Sequence, residues 1–165
     1  MHYALEDLLR IRRIREDRAE REVTSRRAAV DAATQFVARC QENLKAYRQW
    51  RLKEEDRLFN EIMERLVHLS DVEELRIQIA DLRNEELVKE REVEEARKKL
   101  LEAQQRLQEA RALHRKSVQA RQKIEEHRKI WAVEAKRLEE QISDKEMEEF
   151  TSERLREHEN LDGGL

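Results

Sequence analysis

The chain has 165 residues, contains no proline, and carries only two glycines, both within its last three residues. Tight turns use these residues for backbone angles that others avoid, so turn-rich sandwiches, barrels and α/β enzymes are excluded. The scarcity of glycine also leaves no Gly-rich loop to cradle a nucleotide phosphate. Aromatic residues make up 4% and apolar residues 38% of the sequence, which argues against a thick globular core.

Cysteine and long apolar runs are also scarce. The single cysteine, Cys40, cannot form an intramolecular disulfide and is typical of a reducing compartment. No apolar run approaches the roughly 20 residues that span a bilayer, and the stretch from Met1 to Asp17 lacks the apolar core of a signal peptide. We therefore expect a cytoplasmic protein without direct membrane insertion.

The net charge is small over most of the chain and becomes strongly negative only near its C-terminal end. The 35 basic and 38 acidic residues give a net charge of −3, which does not favour nucleic acid as a partner. Residues 1–138 carry 32 basic and 28 acidic side chains, whereas residues 139–165 carry 3 and 10. The net negative charge is thus concentrated in the C-terminal segment.

Candidate catalytic or metal-binding patterns are missing too. None of the five histidines has a histidine four residues away that would make a helical metal-binding pair. Cys40 lies on an apolar helix face, which favours a small buried side chain over a reactive thiolate. We predict no enzyme activity, no cofactor and no metal.

The sequence does contain two long heptad patterns. Steps of four and three residues from Leu75 to Ile142 give twenty positions, fourteen of them apolar, and a second series from Leu5 to Leu58 gives sixteen positions, eleven of them apolar. Such a spacing of 3.5 residues is typical of coiled-coil helices. Glu-to-Lys pairs four residues apart, such as Glu94 and Lys98, support helix over disorder.

The heptad phase slips between the two series, where Ser70 with Glu73, or Asp71 with Glu74, makes a capping box. A short connection makes neighbouring helices antiparallel. The predicted fold is all-α, a long antiparallel two-helix coiled-coil hairpin in a single domain over residues 1–165. We predict helix 1 at about 3–67, a turn at about 67–71, helix 2 at about 71–158 and a disordered tail at 159–165.

A hairpin folded near residue 70 places large seam residues opposite small ones, for example Leu44 opposite Ala96. It also places Arg51 and Glu54 opposite Lys89 and Glu86, with opposite charges on the diagonals. A polar layer of this kind specifies register. We favour a hairpin within one chain that is monomeric alone, with pairing between two chains as the alternative.

Two regions carry more apolar surface than helix pairing explains. Near the chain ends, apolar residues spread around more than half of the helix circumference, and we predict partner binding there. Next to the predicted turn, Trp50 and Phe36 share one heptad position, so that with Phe59 they form an aromatic surface suited to an interface. The predicted partner-binding residues are Leu5, Leu8, Leu9, Ile11, Ile14, Phe36, Trp50, Phe59, Ile130, Trp131, Val133 and Phe150.

Four segments resemble the YscO family of type III secretion proteins. The most specific is Y-x-x-W-R-x-x-E-E-x-R-L-F, from Tyr47 to Phe59. The others are L-x-x-L-L-x-I-R-x-x-R-E-x-R-A-E from Leu5 to Glu20, R-I-Q-I-A-D-L-R from Arg76 to Arg83, and E-E-F from Glu148 to Phe150.

This resemblance implies a bacterial cytoplasmic α-hairpin, similar to the flagellar protein FliJ and to the stalk of rotary ATPase γ subunits. Such a protein is a virulence-associated component, peripheral at the secretion apparatus. Its implied partners are the hexameric secretion ATPase, an export gate protein and secretion chaperones. The alternative is a generic coiled-coil spacer or tether, or a homodimeric scaffold.

Overall fold

The computed structural model describes residues 3–64 and 66–162, with side chains described as far as Arg154. It contains two long helices, α1 (Glu6–Met63) and α2 (Leu69–Asp162), packed against each other as a hairpin. No strand occurs within these described ranges. The predicted all-α hairpin fold is therefore confirmed.

The buried residues follow the two heptad series closely. Within the described part of the chain, twelve hydrophobic residues are buried, and all except Tyr3 lie at positions of the two series. The reason is geometric, because a 3.5-residue spacing keeps one stripe of a helix facing its partner. The eleven seam residues that are buried are Leu9, Val37, Cys40, Leu44, Leu75, Ile79, Val93, Ala96, Leu107, Ala110 and Ala135.

Helix α1 begins at Glu6 rather than near residue 3. Tyr3 lies outside the helix, and its carbonyl oxygen accepts a hydrogen bond from the amide of Glu6 at 3.2 Å. Glu6 and Asp7 occupy the first turn, where acidic side chains interact favourably with the helix dipole. Tyr3 is thereby free to pack against α2.

The connection between the helices also lies earlier than predicted. Helix α1 ends at Met63 and α2 begins at Leu69, whereas the sequence indicated a turn at about 67–71. The amide of His68 donates a hydrogen bond to Oδ2 of Asp71 at 2.9 Å, and the amide of Asp71 donates to the carbonyl of His68 at 3.1 Å. Asp71 therefore acts at the third helical position, with His68 at the cap, and does not precede the helix.

The far end of α2 differs as well, since the helix continues to Asp162 instead of ending near residue 158. The predicted disordered tail at 159–165 thus overlaps the helix at residues 159–162. Its last three residues, 163–165, lie outside the described residues.

The hairpin divides into two compact units. The turn unit, Ala19–His114, contains a buried cluster of Val37, Cys40, Leu44, Val93 and Ala96, against which Leu100 packs. The terminal unit comprises the residues up to Arg18 and those from Arg115 onward, and it buries Tyr3, Leu9 and Ala135. Each unit pairs a segment of α1 with a segment of α2.

Candidate interaction sites

A network of ion pairs joins the two helices of the turn unit. Glu86 accepts hydrogen bonds from both Arg48, at 2.7 Å from Nε, and Arg51. Glu55, which is buried, accepts hydrogen bonds from Arg51 and Arg83. The network places alternating charges across the helix interface and satisfies the polar groups buried there.

Hydrogen bonding controls the protonation of these carboxylates. Donation from Arg48, and then from Arg51, lowers the pKa of Glu86 below its ordinary 4.5, although burial opposes the shift. The pKa of Glu55 is lowered chiefly by donation from Arg83 and also by Arg51, again against the effect of burial. Both carboxylates are thus held in the charged state that the interhelical pairing requires.

Of the two charge pairs predicted on the diagonals of the polar layer, the network contains Arg51 with Glu86 but not Glu54 with Lys89. Arg51 does pair with Glu86, but Glu54 pairs along its own helix with Arg57, and Lys89 lies 3.8 Å from Glu85. Glu55 takes the interhelical position instead, because Arg83 approaches it from α2. Sequence reasoning missed Glu55, since it does not lie on the heptad series.

Tyr47 anchors the aromatic part of the turn unit. Its hydroxyl donates to the carbonyl oxygen of Leu82 at 2.9 Å, its ring lies 5.4 Å from that of Trp50, and the ammonium of Lys89 lies over its face. Burial, followed by the negative charge of Glu85, raises the pKa of Tyr47 above 10.0. This hydroxyl therefore remains a donor at neutral pH.

Three predicted interface aromatics of the turn unit remain largely uncovered. Trp50 is 49% exposed although it rests on Tyr47, and Phe36 and Phe59 are exposed to a similar degree. The guanidinium of Arg39 lies 5.8 Å from the centre of the Phe36 ring. These rings offer apolar area that the hairpin itself leaves unused.

The terminal unit has an ion-pair network of its own. Glu125 accepts hydrogen bonds from Arg13, at 3.1 Å, and from Arg121, which also donates to Glu16 on α1. Donation from Arg13 is the main reason why the pKa of Glu125 lies below 4.5, with the charge of Arg121 adding to it. Arg128 and Glu6 make a further interhelical pair at 3.4 Å.

Tyr3 is the buried residue of the terminal unit that the heptads did not predict. Its hydroxyl lies 2.8 Å from Nδ1 of His127 and 3.4 Å from the carbonyl oxygen of Ile124, and its ring lies 5.2 Å from that of Trp131. A tyrosine buried with a satisfied hydroxyl stabilises the helix pair at this point. No sequence signal marked it, because it precedes the helix.

The predicted interface residues near the chain ends fall into two groups. Leu9 is fully buried in the terminal unit, and Leu5, Leu8 and Trp131 are half-buried. These four residues are wholly or partly covered by the packing of the terminal unit. The exposed group consists of Ile11, Ile14, Ile130, Val133 and Phe150.

Helix α2 continues well beyond the residues that face Tyr3. Leu138 and Ile142 continue the heptad series of Ala135 but are half exposed, and Phe150 is 69% exposed. The same segment carries most of the acidic excess of the chain. It is an apolar stripe with acidic flanks, to which α1 contributes no cover.

The described residues include no group of three or more His, Cys, Asp or Glu residues placed to hold a metal ion. Cys40 is a free thiol buried in the core of the turn unit. In the described part of the chain, neither helix has an apolar stretch long enough to cross a membrane.

The fold defines a class of protein: an all-α helical hairpin with exposed apolar side chains. The family model of the type III secretion protein YscO matches residues 5–153. The chain therefore belongs to the YscO family of type III secretion proteins, and the expected resemblance is confirmed.

Two solved structures are similar to the chain. YscO from Vibrio parahaemolyticus has 27% sequence identity and a TM-score of 0.83, over 88% of this chain and 92% of that one. CT670 from Chlamydia trachomatis, described as a YscO homolog, has 20% identity and a TM-score of 0.80, over 97% and 98% of the two chains. Comparison with curated proteins gave no match.

Proposed function

We propose that this chain is a non-enzymatic stalk of the type III secretion apparatus, inserted in the hexameric secretion ATPase. It would link the ATPase to the export gate protein and bind secretion chaperones, in the bacterial cytoplasm. One observation supports this proposal above the others: in both units, side chains suited to interfaces are exposed by a hairpin that already satisfies its own core. Membership of the YscO family makes the secretion apparatus the setting.

The two units suggest two different partners. In the terminal unit, the exposed residues Ile11, Ile14, Ile130 and Val133, with the acidic stripe of α2, would engage the ATPase. In the turn unit, Trp50 and Phe59 would engage the export gate or a chaperone. The assignment uses the difference in surface chemistry: the acidic excess of the chain lies in the terminal unit, so this unit is given the partner whose binding surface would have to be basic.

The test is to add the purified chain to the purified hexameric secretion ATPase in amounts below one chain per ring. A stalk is expected to stimulate ATP hydrolysis, and a variant with Ile130→Ser and Val133→Ser is expected to stimulate less. Leu113→Ser, in which an exposed leucine of the turn unit is changed, is the matched control. Absence of stimulation by the unmodified chain would contradict the proposed function.

The alternative, a homodimeric tether, is favoured by one observation. Leu138 and Ile142 continue the heptad series where α1 offers no cover, so a second copy could pair there. Light scattering separates the two functions. A stalk is monomeric over the accessible concentration range, whereas a tether is dimeric and has no effect on the ATPase.

A further inference from the structure

The two helices of the turn unit line a groove of about 600 Å³ close to the connection between them. Its α1 wall runs from Trp50 to Ile62 and its α2 wall from Asp71 to Leu82. On both walls the residues recur three or four positions apart, so each wall is a single helix face. The α1 wall spans thirteen residues, or about 18 Å between its first and last residue, which matches the length of about three helical turns.

The groove has an apolar floor. Leu75 is buried, and Leu58, Ile62 and Leu82 are half-buried along it. Trp50 closes one end, where its half-exposed ring is held at 5.4 Å from the ring of Tyr47. An apolar stripe of this length, with an aromatic ring at its end, matches the apolar face of an amphipathic helix.

The rims of the groove are acidic. Five carboxylates and one guanidinium line it, so its formal charge is −4, while the whole chain carries −3. The guanidinium of Arg57 is already engaged by Glu54, at 3.0 Å from Nε, and by Glu61 at 3.1 Å. The carboxylates are those of Glu54, Glu61, Asp71, Glu74 and Asp81.

On α2, the flank that faces away from this groove carries basic side chains. At 100° per residue, Arg76, Ala80 and Arg83 fall on the other side of the Leu75–Ile79 stripe from Glu74 and Asp81. They line a separate hollow that also includes Phe59. The acidity therefore belongs to one groove and is not a general property of the turn unit.

We propose that the acidic groove is the docking surface for a cationic amphipathic helix of a partner protein. The apolar stripe of that helix would pack on Leu58, Leu75 and Trp50, and its Lys or Arg flanks would face Glu74 and Asp81. This inference rests on the proposed function only in assigning a partner to the turn unit. It adds the chemistry by which that partner is recognised.

The test measures the binding of two labelled 16-residue synthetic peptides to the full-length chain by fluorescence anisotropy. Both peptides carry the same leucine stripe, with Lys flanks in one and Glu flanks in the other. Complementary charge favours the Lys peptide, and we expect its Kd to be at least about ten times lower at physiological salt, where only charges within about 8 Å interact strongly.

The discriminating variant is Glu74→Arg combined with Asp81→Arg. Its matched control is Glu95→Arg combined with Glu102→Arg, two exposed acids on the same helix with the same spacing of seven residues. Both double variants change the net charge equally. We expect the groove variant to weaken binding of the Lys peptide by about ten-fold or more and the control by less than about two-fold. Circular dichroism checks that both variants remain helical.

Equal weakening by both double variants would show that the peptide senses only net charge, and this outcome overturns the proposal. Equal binding of the Glu peptide overturns it too. So does a concentration-dependent dimer of the chain that the groove variant dissociates, because the groove would then be occupied by a second copy. ATPase stimulation requires no peptide, so its presence or absence tests the stalk function separately.

Discussion

The terminal and turn units are built from the same two helices, yet they differ in how their buried apolar residues are distributed. The turn unit has a continuous buried cluster from Val37 to Leu44 and from Val93 to Ala96. The terminal unit concentrates its burial in Leu9 and Tyr3 and leaves Ile11, Ile14 and Ile130 exposed. The turn unit exposes large apolar side chains too, among them Trp50 and Phe59. A hairpin can therefore complete its buried core and still keep interface residues available in both units.

The ion-pair networks show the same contrast. Both units have carboxylates that bridge arginines, Glu55 and Glu86 in the turn unit and Glu125 in the terminal unit. The side chains of Arg51 and Glu86 are each 15% exposed, whereas that of Arg13 is 53% exposed. Since screening by water weakens exposed pairs, the network of the turn unit is expected to contribute more to stability.

The largest expected effect comes from Leu9→Ala. Leu9 is fully buried, so its truncation leaves a cavity and should lower the free energy of unfolding by about 3 kcal/mol. Urea unfolding followed by circular dichroism measures the change. Leu113→Ala, at an exposed position, is the control and should cost less than about 0.5 kcal/mol. Equal effects of the two changes would mean that Leu9 is not a core residue.

Glu86→Gln tests the ion-pair network of the turn unit, in which the side chain of Glu86 is less exposed than that of Glu125 in the terminal unit. Losing the charge that Arg48 and Arg51 share should lower the free energy of unfolding by about 1–2 kcal/mol. Glu125→Gln in the terminal unit should cost less, because its partner Arg13 is more exposed. Chemical unfolding of both variants tests the comparison, and a larger cost for Glu125→Gln would reverse the ranking of the two networks.

The hydrogen-bonded hydroxyls of Tyr47 and Tyr3, one in each unit, are expected to contribute about equally to stability. Tyr47→Phe removes donation to the carbonyl of Leu82, and Tyr3→Phe removes the hydroxyl beside His127. Each change should lower the free energy of unfolding by about 1 kcal/mol. Thermal unfolding measures both, with Tyr47→Phe as the reference. A negligible cost for Tyr3→Phe would show that the hydroxyl of Tyr3 contributes nothing to the stability of the terminal unit.

The smallest expected effect is a difference in acid sensitivity. Because the pKa of Glu86 is lower in the folded chain than its ordinary 4.5, the unfolded chain binds more protons as the pH falls. The stabilisation from Glu86 is complete above about pH 4.5 and is lost as the pH falls through the lowered pKa. Between pH 5 and 3, the original chain should therefore lose a few tenths of a kcal/mol more than Glu86→Gln does. Parallel pH profiles would exclude a contribution from Glu86.

Heptad spacing alone identified the core to an unusual extent, since every buried hydrophobic residue of the described chain except Tyr3 lies on one of the two series. The same reasoning identified the Arg51–Glu86 pair. The heptad pattern did not predict the roles of Glu55 and Asp71, because both roles depend on local geometry that a residue spacing does not describe. Glu55 is positioned by an arginine of the other helix, and Asp71 by the backbone of His68.

Sequence by itself determined that the chain would be a two-helix hairpin, because a 3.5-residue repeat without proline or internal glycine leaves the backbone few other ways to bury its apolar stripe. It also pointed to the exposed aromatics, since two paired helices cover only one stripe each. Tertiary structure decided which carboxylate crosses the interface and where Tyr3 lies. Those outcomes depend on which residues of α1 and α2 face each other, and that pairing exists only when the two helices are packed together.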